Sequence, residues 1–319
     1  MDVKAAQKKL NRLKSTISNV LLGKPEAVKL TLTGLIADGH VLIEDVPGLG
    51  KTMLVRSLAR AINGRYRRIQ FTPDLLPGDV TGTHIYNQAS GEFKFEAGPA
   101  FTEILLADEI NRATPRTQSS LLESMEERQI TADGETYKLP DLFFVAATQN
   151  PVEQQGTFPL PEAQLDRFLL KFSIGYPPGE IEKDIAEIDR SSHPLFDVNP
   201  VCTPEDILVI QDFVKNVKID SSVLDYIVRL VRKTRDYDAV ELGASPRGSM
   251  ALRRAAQAYA FLEGRDFVSP DDIQKLLSPT LRHRIIIDPR ERMKGTTITN
   301  LLNNILEEVF VPVEYEPSG

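Results

Sequence analysis

The twelve residues from Val41 to Thr52 constrain this chain more than any others. Val41–Ile43 is a short apolar run of strand character, Glu44 to Gly50 is a loop holding two glycines, and Lys51-Thr52 opens a helical segment, Met53–Ile62. A strand, a glycine loop and a helix N-terminus in immediate succession are the setting in which a phosphate-binding loop works. Glycines let backbone N–H groups close around phosphate, and the helix end adds a favourable dipole. In that reading Val46, Pro47, Gly48, Leu49, Gly50, Lys51, Thr52 and Met53 form the cradle. Lys51 reaches the outer phosphates and the Thr52 hydroxyl binds Mg²⁺. The strict G-x4-G-K-[ST] spacing fails at one position, where Asp45 stands in place of the first glycine.

Four further apolar runs, Ile69–Phe71, Ile104–Ala107, Phe143–Ala147 and Leu169–Phe172, alternate with helical stretches. Continuous apolar character suits strands buried on both faces of a parallel sheet, and the alternation predicts an α/β fold. Val3 to Ala37 predicts two helices broken at Gly23-Lys24-Pro25. Two hairpins interrupt the scheme: Thr83–Tyr86 with Phe93–Phe95 about Asn87-Gln88-Ala89-Ser90-Gly91, and Gln129–Ala132 with Glu135–Leu139 about Asp133-Gly134. Tyr176-Pro177-Pro178-Gly179 then breaks the pattern, and only helices are expected after it. Thr203-Pro204-Glu205-Asp206 and Ser269-Pro270-Asp271-Asp272 are helix starts, and Gly264 closes a helix from Pro246. The expected division is an α/β unit over 1–178, with a linker and a smaller all-helical unit over 179–319.

The run ending Ala107-Asp108-Glu109 places two acids at a strand end. Asp108 is read as an Mg²⁺ ligand and Glu109 as the group that polarises an attacking water. The run ending Thr148-Gln149-Asn150-Pro151 offers an amide, Asn150, to orient that water beside Glu109, although an asparagine before proline also forms turns. Composition removes competing classes. One cysteine, Cys202, forms no internal disulfide and, with His40, His84, His193 and His283 scattered, supplies no zinc cluster. The N-terminus has no signal-peptide stretch and no run nears a membrane span, so a soluble cytoplasmic protein is expected. The net charge of −7 disfavours nucleic acid as a stoichiometric partner.

With these residues in order the sequence resembles the AAA+ ATPases, and within them the MoxR family. The carriers are Glu44 to Thr52, Ala107-Asp108-Glu109-Ile110-Asn111-Arg112, Ala147-Thr148-Gln149-Asn150-Pro151, Leu160 to Phe168 and Gly243-Ala244-Ser245-Pro246-Arg247. They run in the expected order from Glu44 to Arg247, the helices on both sides extend the similarity over nearly the whole chain, and Asp45 is typical of that family. The resemblance implies a five-stranded core sheet with a helical lid, assembled as a ring, usually hexameric. It implies that both hairpins are inserts that face a pore. Arg167, a guanidinium suited to phosphate oxygens, matches an arginine finger directed at a neighbour's γ-phosphate. Arg247 matches a second sensor that acts on its own or a neighbour's nucleotide. Arg112 and Arg116 are interface candidates, Arg116 better read as solvated.

ATP and Mg²⁺ are the implied ligands. A von Willebrand factor A domain protein is the implied partner, and maturation of protein or metal-enzyme complexes the implied task on a protein client. Three rivals stand beside this reading: a motor on DNA, a chelatase-like motor, and a scaffold that binds ATP without hydrolysing it. The hairpins carry Glu92, Lys94, Glu96, Asp133, Glu135 and Lys138, an acidic balance that argues against DNA. Intact Glu109, Asn150 and Arg167 argue against the scaffold. Arg65-Tyr66-Arg67-Arg68 and Arg282-His283-Arg284 are read as solvated or charge-balancing, and Cys202 as inert. Phe93 and Phe95 are read either as gripping groups or as packing for their own hairpin.

Overall fold

The computed structural model describes residues 1–89, 91–152, 156–187, 195 and 197–312; Ser90 of the first predicted turn and His193 lie outside them. Two helices, α1 (Val3–Val20) and α2 (Pro25–Ile36), precede β1 (Val41–Glu44) and α3 (Lys51–Ala61). Then come β2 (Tyr66–Gln70), α4 (Pro77–Thr81), the hairpin β3 (Gly82–Asn87) and β4 (Glu92–Ala97), and β5 (Ile104–Asp108). A 3-10 turn, Ile110–Arg112, leads into α5 (Pro115–Glu127), the hairpin β6 (Gln129–Ala132) and β7 (Glu135–Lys138), β8 (Phe144–Gln149), α6 (Glu162–Leu165) and β9 (Leu170–Phe172). The remaining chain forms α7 (Gly179–Glu187), α8 (Pro204–Lys215), α9 (Ser221–Lys233), β10 (Val240–Leu242), α10 (Pro246–Leu262), α11 (Pro270–Leu281), β11 (Ile286–Ile287), α12 (Pro289–Met293) and α13 (Ile298–Glu308).

The five predicted strands form one sheet, order β2-β5-β8-β1-β9, every pair parallel. All carboxyl ends therefore lie along one edge, and the phosphate loop emerges there between β1 and α3. Central strands are apolar throughout because both faces are covered. One face packs on α1, α2 and α3 in a core that runs on through α8 to α11 and α13. The other face packs on α5 and the hairpin bases, through Leu121, Leu122, Phe143 and Phe168. Each fully buried Leu, Ile or Phe contributes about 1.5–3 kcal/mol, so the sheet is the rigid reference for everything it carries.

The predicted caps are in place. Thr203 accepts from Asp206 N while Asp206 accepts from Thr203 N, and Ser269 and Asp272 repeat the arrangement on α11. Ser245 caps α10 and receives Arg247 N. The lid is helical as expected apart from one short ribbon, β10 against β11, too brief for alternation to register in the sequence.

The two hairpins lean on each other. Phe95 stacks on Tyr137 with ring centroids 3.9 Å apart, and His84 Nδ1 lies 2.7 Å from Asp133. Phe95 thus packs, whereas Phe93 is 71% exposed and pairs with Tyr86 at the outer end of the first hairpin. Cys202 is buried, which pushes its thiol up to about 12, as an inert group requires. Among the described residues no helix is long and apolar enough to cross a membrane.

Candidate nucleotide site

The phosphate loop is held open by backbone geometry. Gly48 and Gly50 adopt φ of 90° and 89°, a region that L side chains avoid, and Gly50 is the N-cap of α3. Asp45 has a physical reason to replace glycine. Its carboxylate accepts from Ile174 N at 2.5 Å and Gly175 N at 2.9 Å, which ties the start of the loop to the chain leaving β9. Lys51 Nζ donates to the carbonyls of Asp45 and Val46 at 2.5 and 3.1 Å. Burial pushes its ammonium below the ordinary value, while Asp108, Asp45 and Glu109 pull the other way.

A cleft of about 380 Å³ at the carboxyl ends of the strands is lined by Pro47, Gly48, Gly50, Lys51, Thr52 and Met53, and by Arg68, Gln70, Asp108 and Glu109. A second cleft, about 450 Å³, adjoins the same loop. Leu49, Gly50 and Met53 face Leu21, Leu22, Lys24, Tyr176 and Ile185 there, a largely apolar space of a size for a nucleobase. Asp108 is 8% exposed and Glu109 turns off the strand at φ 55°, a left-handed conformation that costs a side-chain-bearing residue roughly 1–3 kcal/mol. Thr148, buried on β8, bridges the two. Its hydroxyl donates to Asp108 Oδ1 at 2.6 Å and accepts from Glu109 N at 2.8 Å.

The site also recruits residues to which the sequence reading gave no place in it. Arg68 donates to Asp108 Oδ2 at 2.6 Å, so it is not merely a solvated strand approach. Gln70 Nε2 donates to Glu109 Oε2 at 2.7 Å, and Arg112 Nη1 donates to the same oxygen at 3.0 Å. Strand register explains this: Gln70 pairs with Asp108 across β2 and β5, and Arg68 shares its face two residues back. Asn150 is buried at the end of β8, but its Oδ1 accepts from Val152 N at 3.2 Å. The oxygen serves the turn through Pro151 rather than Glu109, and the carboxamide nitrogen is left to donate. Arg116 is exposed, as read.

Arg167 and Arg247 lie elsewhere. Both line a cleft of about 450 Å³ with His40, Glu126, Arg254 and Arg284, which shares no residue with the phosphate cleft. Arg167 Nη2 pairs with Glu126 at 3.1 Å, and Arg247 lies 3.7 Å from Glu126 and from Asp166. Leu169 N donates to His40 O, which fixes this segment at the amino end of β1, whereas Asp45 follows its carboxyl end. From His40 to Asp45 the chain is extended over five steps, about 16 Å at ~3.3 Å each. An arginine side chain does not span that. Arg167 Nη1 is buried without an acceptor among the described residues.

The family model described as the ATPase family associated with various cellular activities (AAA) matches residues 40–170, and that of the AAA lid domain matches 232–305. The uncharacterized protein YeaC of Bacillus subtilis (strain 168) is 53% identical over 93% of each chain. Chaperone MoxR1 of Mycobacterium tuberculosis is 40% identical over 95% of this chain and 82% of its own. The chain belongs to the MoxR family of AAA+ ATPases. A crystal structure of a candidate ATPase from Cytophaga hutchinsonii, 37% identical, superposes with a TM-score of 0.89 over 97% of both chains. The MoxR-type core and lid thus carry the phosphate cleft at one end of the sheet and the arginine cleft at the other.

The residues present fit ATP with Mg²⁺. The glycine loop leaves open space where a Gly48 side chain would stand, and among the described residues Lys51 donates only to its own loop's carbonyls. Among the described residues no group of three His, Cys, Asp or Glu side chains stands ready to hold a metal alone.

Proposed function

We propose that this protein is an ATP-hydrolysing remodelling chaperone whose active sites are completed between subunits of a ring, six in the family's usual form. The observation that carries the reading is the placement of Arg167 and Arg247 at the sheet end opposite their own phosphate loop. A polyphosphate bound at one subunit's loop meets such arginines only if a neighbour supplies them, so both act in trans. Val46 to Met53 cradle the nucleotide. Thr52 and Asp108 hold Mg²⁺, which neutralises charge on the phosphate oxygens when bound. Glu109, released from Gln70 and Arg112, polarises the attacking water, and Asn150 Nδ2 orients it. Lys51 and the neighbour's Arg167 stabilise charge on the transferring phosphoryl group.

The lid, moving about the break at residues 176–179 that divides 1–178 from 179–319, carries hydrolysis energy to the hairpins. The exposed Tyr86–Phe93 pair, flanked by Glu92, suits a polypeptide client in the pore better than DNA. A von Willebrand factor A domain protein is the partner this family resemblance favours, with maturation of a protein or metal-enzyme complex as the task, in the cytoplasm. The test is a mixture of two inactive variants, Lys51→Ala and Arg167→Ala. Mixed rings contain sites with an intact loop from one variant and an intact arginine from the other. Turnover in the mixture, absent from either alone, is expected; silence in mixed rings verified by sedimentation would overturn the trans assignment.

A further inference from the structure

Arg282-His283-Arg284 follows α11 in the lid, and its last residue is deeply placed. The Arg284 side chain is 5% exposed, and each of its nitrogens donates to an acceptor. Nε binds Asp166 Oδ1 at 2.6 Å; Nη2 binds Phe168 O at 2.8 Å and Asp166 O at 3.1 Å; Nη1 binds Leu169 O at 3.3 Å and also Thr280 O in the last turn of α11. Buried His283 adds Nε2 at 2.9 Å from Phe168 O. The segment thus gripped, 166–169, contains Arg167. It follows the one-turn helix α6 and precedes β9, so its carbonyls lack strand or helix partners of their own and need a donor from outside. A planar fork with five N–H groups can serve several carbonyls and a carboxylate together; an ammonium cannot.

Asp166 also faces Arg247, at 3.7 Å on its other oxygen. Two lid arginines therefore converge on the residue next to Arg167. We infer that Arg284 is a positioning residue: it locks the segment bearing Arg167 to its own subunit's lid, so lid position decides how Arg167 is presented to the neighbour's nucleotide. The inference rests on the trans reading above and deepens it by naming what couples lid to arginine. Arg284 touches no nucleotide in this scheme and acts only through the 166–169 backbone.

The paired-variant mixture supplies the test. Arg284→Gln is added either to the Lys51→Ala subunit, which donates Arg167, or to the Arg167→Ala subunit, which holds the nucleotide. In the donor it is expected to lower the maximal rate of the mixture by about 10²-fold, the scale of a ~1 Å misplacement, with the apparent KM for ATP unchanged. In the nucleotide-holding subunit it is expected to leave the rate as it was. Equal losses in both positions would mark a merely structural role and overturn the inference, as would no loss in the donor. An inactive parental mixture would instead overturn the trans reading itself. If Arg284→Gln does not fold, Asp166→Asn, which keeps the shape and removes the charge that Arg284 Nε binds, is judged by the same criteria.

Discussion

At the carboxyl ends of the strands, Lys51, Thr52, Asp108 and Glu109 come from two contiguous motifs and share one cleft with Arg68 and Gln70. At the amino ends, Arg128, Arg167, the α10 pair Arg247 and Arg254, and Arg284 come from four segments far apart in sequence and share theirs with Asp38, Glu126 and Asp166. The first cleft balances two bases against two acids; the second has five bases against three acids. A cleft that is neutral by its own residues accepts a polyphosphate with its own cation. One that is cationic without a ligand suits phosphate brought from outside. The comparison teaches that the two ends differ in charge and in origin, which is the arrangement expected if the chemistry is shared between two copies of the chain.

The largest effect expected from breaking this arrangement is at Arg167. Arg167→Ala is expected to lower turnover ~10³-fold or more, the range for arginine fingers, with nucleotide affinity unchanged in equilibrium binding. Lost affinity would move Arg167 into a structural role. At the other end Glu109→Gln should cost ~10²–10⁴ in rate, the scale of general acid–base help, while ATP still binds; unaltered steady-state hydrolysis would remove Glu109 from the chemistry.

Asp45→Gly restores the strict loop spacing yet is expected to destabilise the fold by about 3 kcal/mol. It orphans Ile174 N and Gly175 N, and bonds to a charged group are worth roughly 1.5–3 kcal/mol each. Denaturant unfolding of the two proteins reads this directly, and equal midpoints would contradict it.

The last effect, absent at neutral pH, is expected at the amino end, where buried His40 accepts from Val145 N and sits 3.3 Å from Met125 O. Burial, reinforced by the charge of Arg128, pushes its pKa down to about 3. The unfolded chain then binds a proton below about pH 6.5 that the native one refuses. Stability should fall by roughly 1.4 kcal/mol for each pH unit between there and about 3. Buried His283 contributes with the same sign. His40→Gln should flatten the acid limb of a melting-temperature profile; a limb of unchanged slope would assign it to other groups.

The carboxyl-end site was largely legible because a phosphate loop and an acid-ended strand are local patterns, and the sheet followed from continuous apolar runs. Arg68, Gln70 and Thr148 escaped because they act through strand register, although period-two placement beside Asp108 and a lone hydroxyl inside the apolar β8 run were usable signals. Asn150 was found as a buried amide, but its oxygen obeys the turn through Pro151. The amino-end cleft was legible only through resemblance, at Arg167 and Arg247. Arg284 read as one more lid charge because its partners are backbone carbonyls more than a hundred residues away, which no side-chain pattern announces.

The most direct test of a site shared between subunits is ATP turnover per subunit against protein concentration, at fixed Mg²⁺ and ionic strength, with sedimentation at each point. The account predicts a specific rate that rises steeply as the chain assembles and then saturates. A flat, appreciable rate from a species that sediments as a monomer throughout would contradict it, because one chain would then hold everything hydrolysis needs.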